Sequence, residues 1–128
     1  MYDYTITLDE SGDYIIIKVV GGLDRETAIG YIKDSHKLGA ETGINKFLLD
    51  ATEAVNVEST GDNFSFAAEE LEIIEGFNRI AIVAMLVAED DHSHDFVATV
   101  AQNAGQSVTL FRDREAAIQH LLAETEET

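Results

Sequence analysis

Tyr2, Tyr4, Ile6 and Leu8 alternate with Asp3, Thr5, Thr7 and Asp9, a period of two that predicts a strand with one buried and one wet face. Glu10-Ser11-Gly12-Asp13 supplies turn chemistry. The dense β-branched run from Tyr14 to Val20 then pairs back as an antiparallel hairpin. Gly21-Gly22 ends it, and Asp24 is placed to cap a helix whose inner stripe is Ala28, Tyr31, Ile32, Ser35 and Leu38. His36 falls on a mainly polar face of that helix.

Phe47-Leu48-Leu49 is a short apolar run ending at Asp50, the pattern of a central strand opening into a polar loop, Ala51 to Gly61. Phe64, Ala67, Ala68, Leu71 and Ile74 recur at three and four spacing and predict a second helix, stopped near Gly76. Ile80 to Val87 shows no polar alternation, which suits a parallel strand covered on both faces. Phe96, Val97, Val100, Ala101 and Ala104 predict a third helix with Gly105 as its stop. Val108, Leu110 and Phe111 predict a fifth strand, and Asp113 caps a last helix carrying Ala116, Ala117, Leu121 and Leu122. The order ββαβαβαβα predicts an α/β domain: a mostly parallel five-stranded sheet, an antiparallel N-terminal hairpin and four helices. Residues 1–123 form a single domain on this reading, and 124–128 an acidic tail that frays.

The 128 residues include no Cys, and 45% are apolar, enough for one core. Without Cys there is no disulfide framework, thiolate nucleophile, Cys-ligated zinc or iron–sulfur cluster. Eight Lys and Arg face 25 Asp and Glu, a net charge of −17. Such a field repels phosphate backbones and anionic headgroups, so neither nucleic acid nor membrane insertion is expected and a macromolecular partner is expected to be basic or neutral; solubility or a salty cytoplasm is the plain alternative reading of the acidity. The longest apolar run is far shorter than a bilayer span. Met1-Tyr2-Asp3-Tyr4 opens directly into the strand pattern, with neither a basic n-region nor an apolar h-region, so a cytoplasmic location is expected.

The hairpin, Phe47-Leu48-Leu49-Asp50, Arg79-Ile80-Ala81-Ile82-Val83 and Val108-Thr109-Leu110-Phe111-Arg112-Asp113-Arg114-Glu115-Ala116-Ala117 follow one another in the order seen in SpoIIAA-like proteins of the STAS superfamily, the fold of anti-sigma-factor antagonists. The chain resembles that group over nearly its whole length. In small relatives the last helix usually ends in a Trp-Leu pair, where this chain has His120-Leu121. Antagonists carry Asp-Ser-Ser-Gly after the third strand and are phosphorylated on the second hydroxyl residue; here Glu58-Ser59-Thr60-Gly61 stands in a similar place. The resemblance therefore implies Thr60, with Ser59 beside it, as candidate phosphorylation residues. Asp50, Glu58, Gly61 and Asp62 would mark the interaction loop. A phosphate there would meet a helix N-terminus and add about −1.5 to −2 charge to a partner-facing surface. The plain alternative is a Ser/Thr capping box. STAS-type connection also implies that the helices collect on one side of the sheet, leaving the other to be closed by the hairpin's neighbourhood or by a second protomer, and a homodimer is expected.

Asp90-Asp91-His92-Ser93-His94-Asp95 is the densest set of potential metal ligands, but His92 and His94 are two apart, and capping accounts for the acids, so no metal and no cofactor is expected. No nucleophile elbow, phosphate-cradling glycine loop or HExxH motif is present, and an enzyme is not expected. Phe64 and Phe66 cannot share one helix face. The primary reading is a non-enzymatic STAS-like interaction or regulatory module. The alternative is a small apolar-ligand carrier or sensor with a pocket near Phe64, Phe66 and Phe96, since STAS relatives include domains that bind lipidic or nucleotide ligands.

Overall fold

A computed structural model of the chain describes residues 2–57, 60–70, 74, 76–78 and 80–125. Strand β1 (Tyr2–Leu8) runs antiparallel to β2 (Ile15–Leu23), with Leu8 opposite Ile15 and Tyr2 opposite Gly21. Asp9 holds the turn between them, because its Oδ2 accepts from the Ser11 N–H and hydroxyl at 3.1 and 2.7 Å while Gly12 takes a positive φ of 78°. Strands β3 (Lys46–Asn56), β4 (Ile82–Val87) and β5 (Ser107–Phe111) then add in parallel, so the sheet order is the chain order.

Helix α1 (Arg25–Thr42) begins where Asp24 Oδ1 accepts from the Thr27 N–H at 2.9 Å, and it ends at Gly43, whose φ is 79°. Gly39 lets its C-terminal turn approach the sheet closely; a Cβ there would stand 2.6 Å from the Ile44 carbonyl oxygen. Helix α3 spans Asp95–Asn103, and α4 spans Arg114–Thr125, with Asp113 Oδ2 accepting from the Ala116 N–H at 3.0 Å.

The described residues hold three long helices, where the sequence pattern predicts four. The second expected helix is instead a short segment, α2 (Thr60–Ser65), passing into a π-helical segment, Phe66–Glu70. Leu71 of its expected stripe lies outside the described residues. The polar stretch expected to loop from Ala51 is strand as far as Asn56. The reason is a bulge: Lys18 pairs with Asp50 but Val20 with Glu53, so β3 carries one extra residue. Asp50 closes it, its Oδ1 accepting from the Thr52 N–H (3.1 Å) and hydroxyl (2.7 Å). The bulge re-aims the strand, so that Ala54 turns into the core and Asn56 follows it to the same face.

Successive right-handed crossovers in one direction place α1, the α2 segment and α3 on one face of the sheet. There Ile15, Ile17, Val19, Phe47, Leu49, Met85 and Val87 meet Ala28, Tyr31 and Ile32 of α1. The opposite face is covered from within the chain. Helix α4 follows the edge strand β5 and folds back across β3, β4 and β5 to bury Leu48, Ala84 and Leu86 under Ala117 and Leu121. The homodimer expected from an uncovered face loses that ground. His120 packs its ring on Phe111 (centroids 5.3 Å apart) and Leu121 is fully buried, so the His-Leu pair docks the helix. Glu124 and Thr125, assigned from sequence to the tail, continue α4 in backbone, and 126–128 lie outside the described residues. Among the described residues no helix is long and apolar enough to cross a membrane.

Candidate ligand-binding site

On the first face, α1 lies over β1 and β2 at one edge and α3 over β5 at the other. Over the centre of the sheet between them, Phe47 and Leu49 on β3 and Met85 on β4, the described residues place the π-helical segment and Phe77. Phe66 and Phe77 reach in from there. The span leaves an apolar cavity of about 130 Å³, walled by these side chains with Leu23, Tyr31, Ile32, Val97, Ala98 and Ala101. Engineered apolar cavities of about 150 Å³ admit benzene and stay dry when empty. At the rim, Arg25 Nε lies 3.2 Å from Glu70 Oε1 and ties the start of α1 to the π-helical segment.

Two buried histidines belong to this wall. His36 is 6% exposed, a correction to the polar face the sequence suggests. Its ring is stacked between Phe47 and Phe77, with centroids 5.0 and 5.2 Å away, and its Nδ1 accepts the Asn78 N–H at 2.8 Å. Burial pushes its pKa down to about 4, so it is neutral at pH 7.

His94 is fully buried at the start of α3. The loop that delivers it is organised by Asp91, whose Oδ1 accepts from the Ser93 N–H at 2.8 Å, and by Ser93, whose hydroxyl oxygen accepts from the Asn56 N–H at 3.0 Å. Arg112 braces the same loop by donating to the carbonyls of Glu89 (3.2 Å) and Asp91 (2.8 Å). Burial alone would raise the Asp91 pKa, but the Ser93 hydrogen bonds, His94 and Arg112 bring it below the ordinary carboxylate value. His94 Nε2 lies 3.1 Å from the Ala54 carbonyl oxygen and 3.3 Å from Asp91 Oδ2. The carbonyl can only accept, so Nε2 carries the proton. Nδ1 of the same ring is buried with no hydrogen-bond partner, and the side chain makes no cap to its own helix.

The candidate residues named from sequence disperse. Phe66 lines the cavity, whereas Phe96 points away, 42% exposed, and the Phe64 side chain lies outside the described residues. Glu58 and Ser59 lie outside them as well. Thr60 opens α2 in backbone, with Gly61 and Asp62 exposed beside it. Asp50 is not in a loop: it is 2% exposed within β3 and on the opposite face, where Arg114 Nη2 contacts its Oδ2 at 2.6 Å and Lys18 Nζ at 3.5 Å. Burial alone would raise its pKa, but the Thr52 hydrogen bonds, Lys18 and Arg114 hold it below the usual carboxylate range.

His92 and His94 diverge. His92 is exposed and its Nδ1 lies 2.9 Å from Asp95 Oδ2, while His94 is sealed in the core. Among the described residues no group of three or more His, Asp or Glu side chains gathers as a metal-ligand set. Sequence reasoning missed His36, His94 and Asn56 as wall residues. The spacing Ala28, Ile32, Ser35, His36, Gly39 is itself an inner helical stripe and includes His36.

No protein-family model matches the chain, and no curated protein sequence matches it. In structure it is similar to an uncharacterised protein from the DUF3478 family with a SpoIIAA-like fold, from Shewanella loihica PV-4. The two share 22% identity over 94% of this chain and 93% of that one, with a TM-score of 0.51. The likeness is one of fold, and the chain has a SpoIIAA-like fold.

Proposed function

We propose that the protein is a non-enzymatic binding module that holds a small, largely apolar molecule between its sheet and helices. The cavity over β3 and β4 carries this reading. Close-packed interiors hold few voids larger than a water molecule, and this one lies under a π-helical segment, a geometry frequent at functional sites. The experiment is native mass spectrometry of the protein purified from its own cells, followed by thermal-shift titration with single-ring compounds. A retained small molecule, or a melting temperature that rises with ring-compound concentration, is expected. A bare protein that responds to none of them would remove the reading.

A second reading is a phosphorylation-switched interaction module whose partner is basic. Its support is that Thr60 is the first residue of α2, following a central strand at whose carboxyl end open α/β sheets favour binding sites. Phosphopeptide mapping of the native protein tests it. Phosphate on Ser59 or Thr60 is expected, and labelling that survives the Ser59→Ala/Thr60→Ala double variant would discard the assignment.

A further inference from the structure

Resting on the cavity reading, we infer that the ligand carries a lone-pair acceptor, a carbonyl oxygen or a ring nitrogen, and that this acceptor takes the Nε2–H of His36. The backbone fixes the tautomer. Nδ1 accepts the Asn78 N–H at 2.8 Å and so holds a lone pair, which leaves the ring proton on Nε2 and makes Nε2 a donor only. Among the described residues Nε2 has no hydrogen-bond partner.

That N–H is also within reach. Among the described residues, the side-chain polar atoms that are both unpartnered and sealed from solvent belong to Asp91, His94, Asp95 and His120, and Nε2 of His36 is not one of them. Phe47 and Phe77 cover the two faces of the His36 ring, and Asn78 covers the Nδ1 edge. What His36 contributes to the cavity wall is therefore the edge that carries Nε2. Nearby groups do not compete for the same ligand atom. The Ser35 hydroxyl donates to the Ile32 carbonyl, and Arg25 is paired with Glu70. The Tyr31 hydroxyl makes no hydrogen bond among the described residues, but it donates or accepts alike and so does not select between ligand classes. An N–H in an apolar wall with nothing to bond gains from an arriving acceptor and gains nothing from hydrocarbon.

Benzene, pyridine and pyrrole are the probes, rings of nearly one size that bring no polar atom, an acceptor and a donor respectively. They are titrated by calorimetry into the full chain at about pH 8, where His36 is neutral, with the proton and 15N shifts of its Nε2–H read in parallel. The cost of taking pyridine out of water is the same for every variant, so the quantity read is the ratio of pyridine to benzene affinity. In His36→Phe, which keeps a ring between Phe47 and Phe77, that ratio should fall about tenfold while benzene affinity holds, and in the wild type the Nε2–H proton should move downfield with pyridine alone. If the variant does not fold, the wild-type shifts decide alone. An unchanged ratio with an unmoved proton would overturn the acceptor inference, and benzene binding would leave the cavity reading standing. A ratio that falls in Tyr31→Phe and not in His36→Phe would overturn it by giving the acceptor to the tyrosine. A preference for pyrrole that His36→Phe abolishes would overturn it by placing the lone pair on Nε2. Failure of all three rings to bind would overturn both readings.

Discussion

The two faces of the sheet are lined by alternate residues of the same strands, yet they are finished differently. On β3, Leu48 and Asp50 face α4, while Phe47 and Leu49 face the crossover helices. The α4 face is sealed: Leu48, Ala84, Ala117 and Leu121 are fully buried, and Asp50 fastens the start of the helix through Arg114. The crossover face has more helix over it and still holds a cavity, because α1 and α3 settle at the edges. Cover is decided by where helices land: α1 and α3, which lie in crossovers between neighbouring strands, settle over the edges, whereas α4 lies across β3, β4 and β5. Both faces bury core side chains, and only the crossover face keeps room for the ligand proposed above.

The largest expected effect separates the faces directly. Leu121→Ala removes a fully buried side chain from the α4 face and should cost about 2–5 kcal/mol in urea unfolding. It should leave the affinity for a single-ring probe unchanged. A weakened affinity in the still-folded variant would show the faces to be coupled.

The next effect belongs to the crossover face alone. Unfolded His36 takes up its proton near pH 6.5, but burial delays uptake in the folded protein to about 4. Falling pH therefore favours the unfolded chain across that window: stability is full above about 6.5, declines as pH drops, and levels off below about 4. At about 1.4 kcal/mol per pKa unit the loss amounts to roughly 3 kcal/mol. Urea midpoints at stepped pH should show the decline. His36→Phe, which keeps a ring between Phe47 and Phe77, should flatten it.

These residues also mark what the sequence could and could not disclose. The alternation of Tyr4 and Ile6, the unbroken run through β4 and the Asp24 cap are local signals, and the five strands and three long helices follow from them. Beyond Asp50 the period of two fails because the bulge inserts a residue, so the end of β3, which carries Ala54 and Asn56, reads as loop. His36 and His94 take their roles from Asn78 and Ala54, 42 and 40 residues away in sequence. No periodicity reports such a pairing. The covering of the second face was illegible for a related reason, since nothing local says on which side of the sheet the helix after β5 will fold.

A smaller effect on stability, though a complete one on binding, is expected from filling the cavity. Ala98 is 3% exposed in the cavity wall. Ala98→Leu would extend an isopropyl group into the void, so folding stability should shift by less than about 1.5 kcal/mol while ring-compound binding disappears. Calorimetry beside urea unfolding reads both. Undiminished binding would relocate the ligand.

The smallest effect tests how the cavity is closed. Arg25 is the first residue of α1, where a cation opposes the helix dipole, so its place is explained better by its partner than by its helix. That partner, Glu70, lies on the π-helical segment, and both side chains keep substantial solvent contact, 52% and 30% exposed. An ion pair so wet contributes about 1 kcal/mol or less, and Arg25→Ala should barely move the melting temperature. The consequence should be kinetic and local. Amide exchange should quicken in Phe66–Glu70 and nowhere on the α4 face, and ring compounds should enter and leave faster at nearly unchanged affinity. Unaltered exchange in that segment would mean that Phe66 and Phe77 hold the cover by burial alone, and the two faces would then differ in cavity but not in mobility.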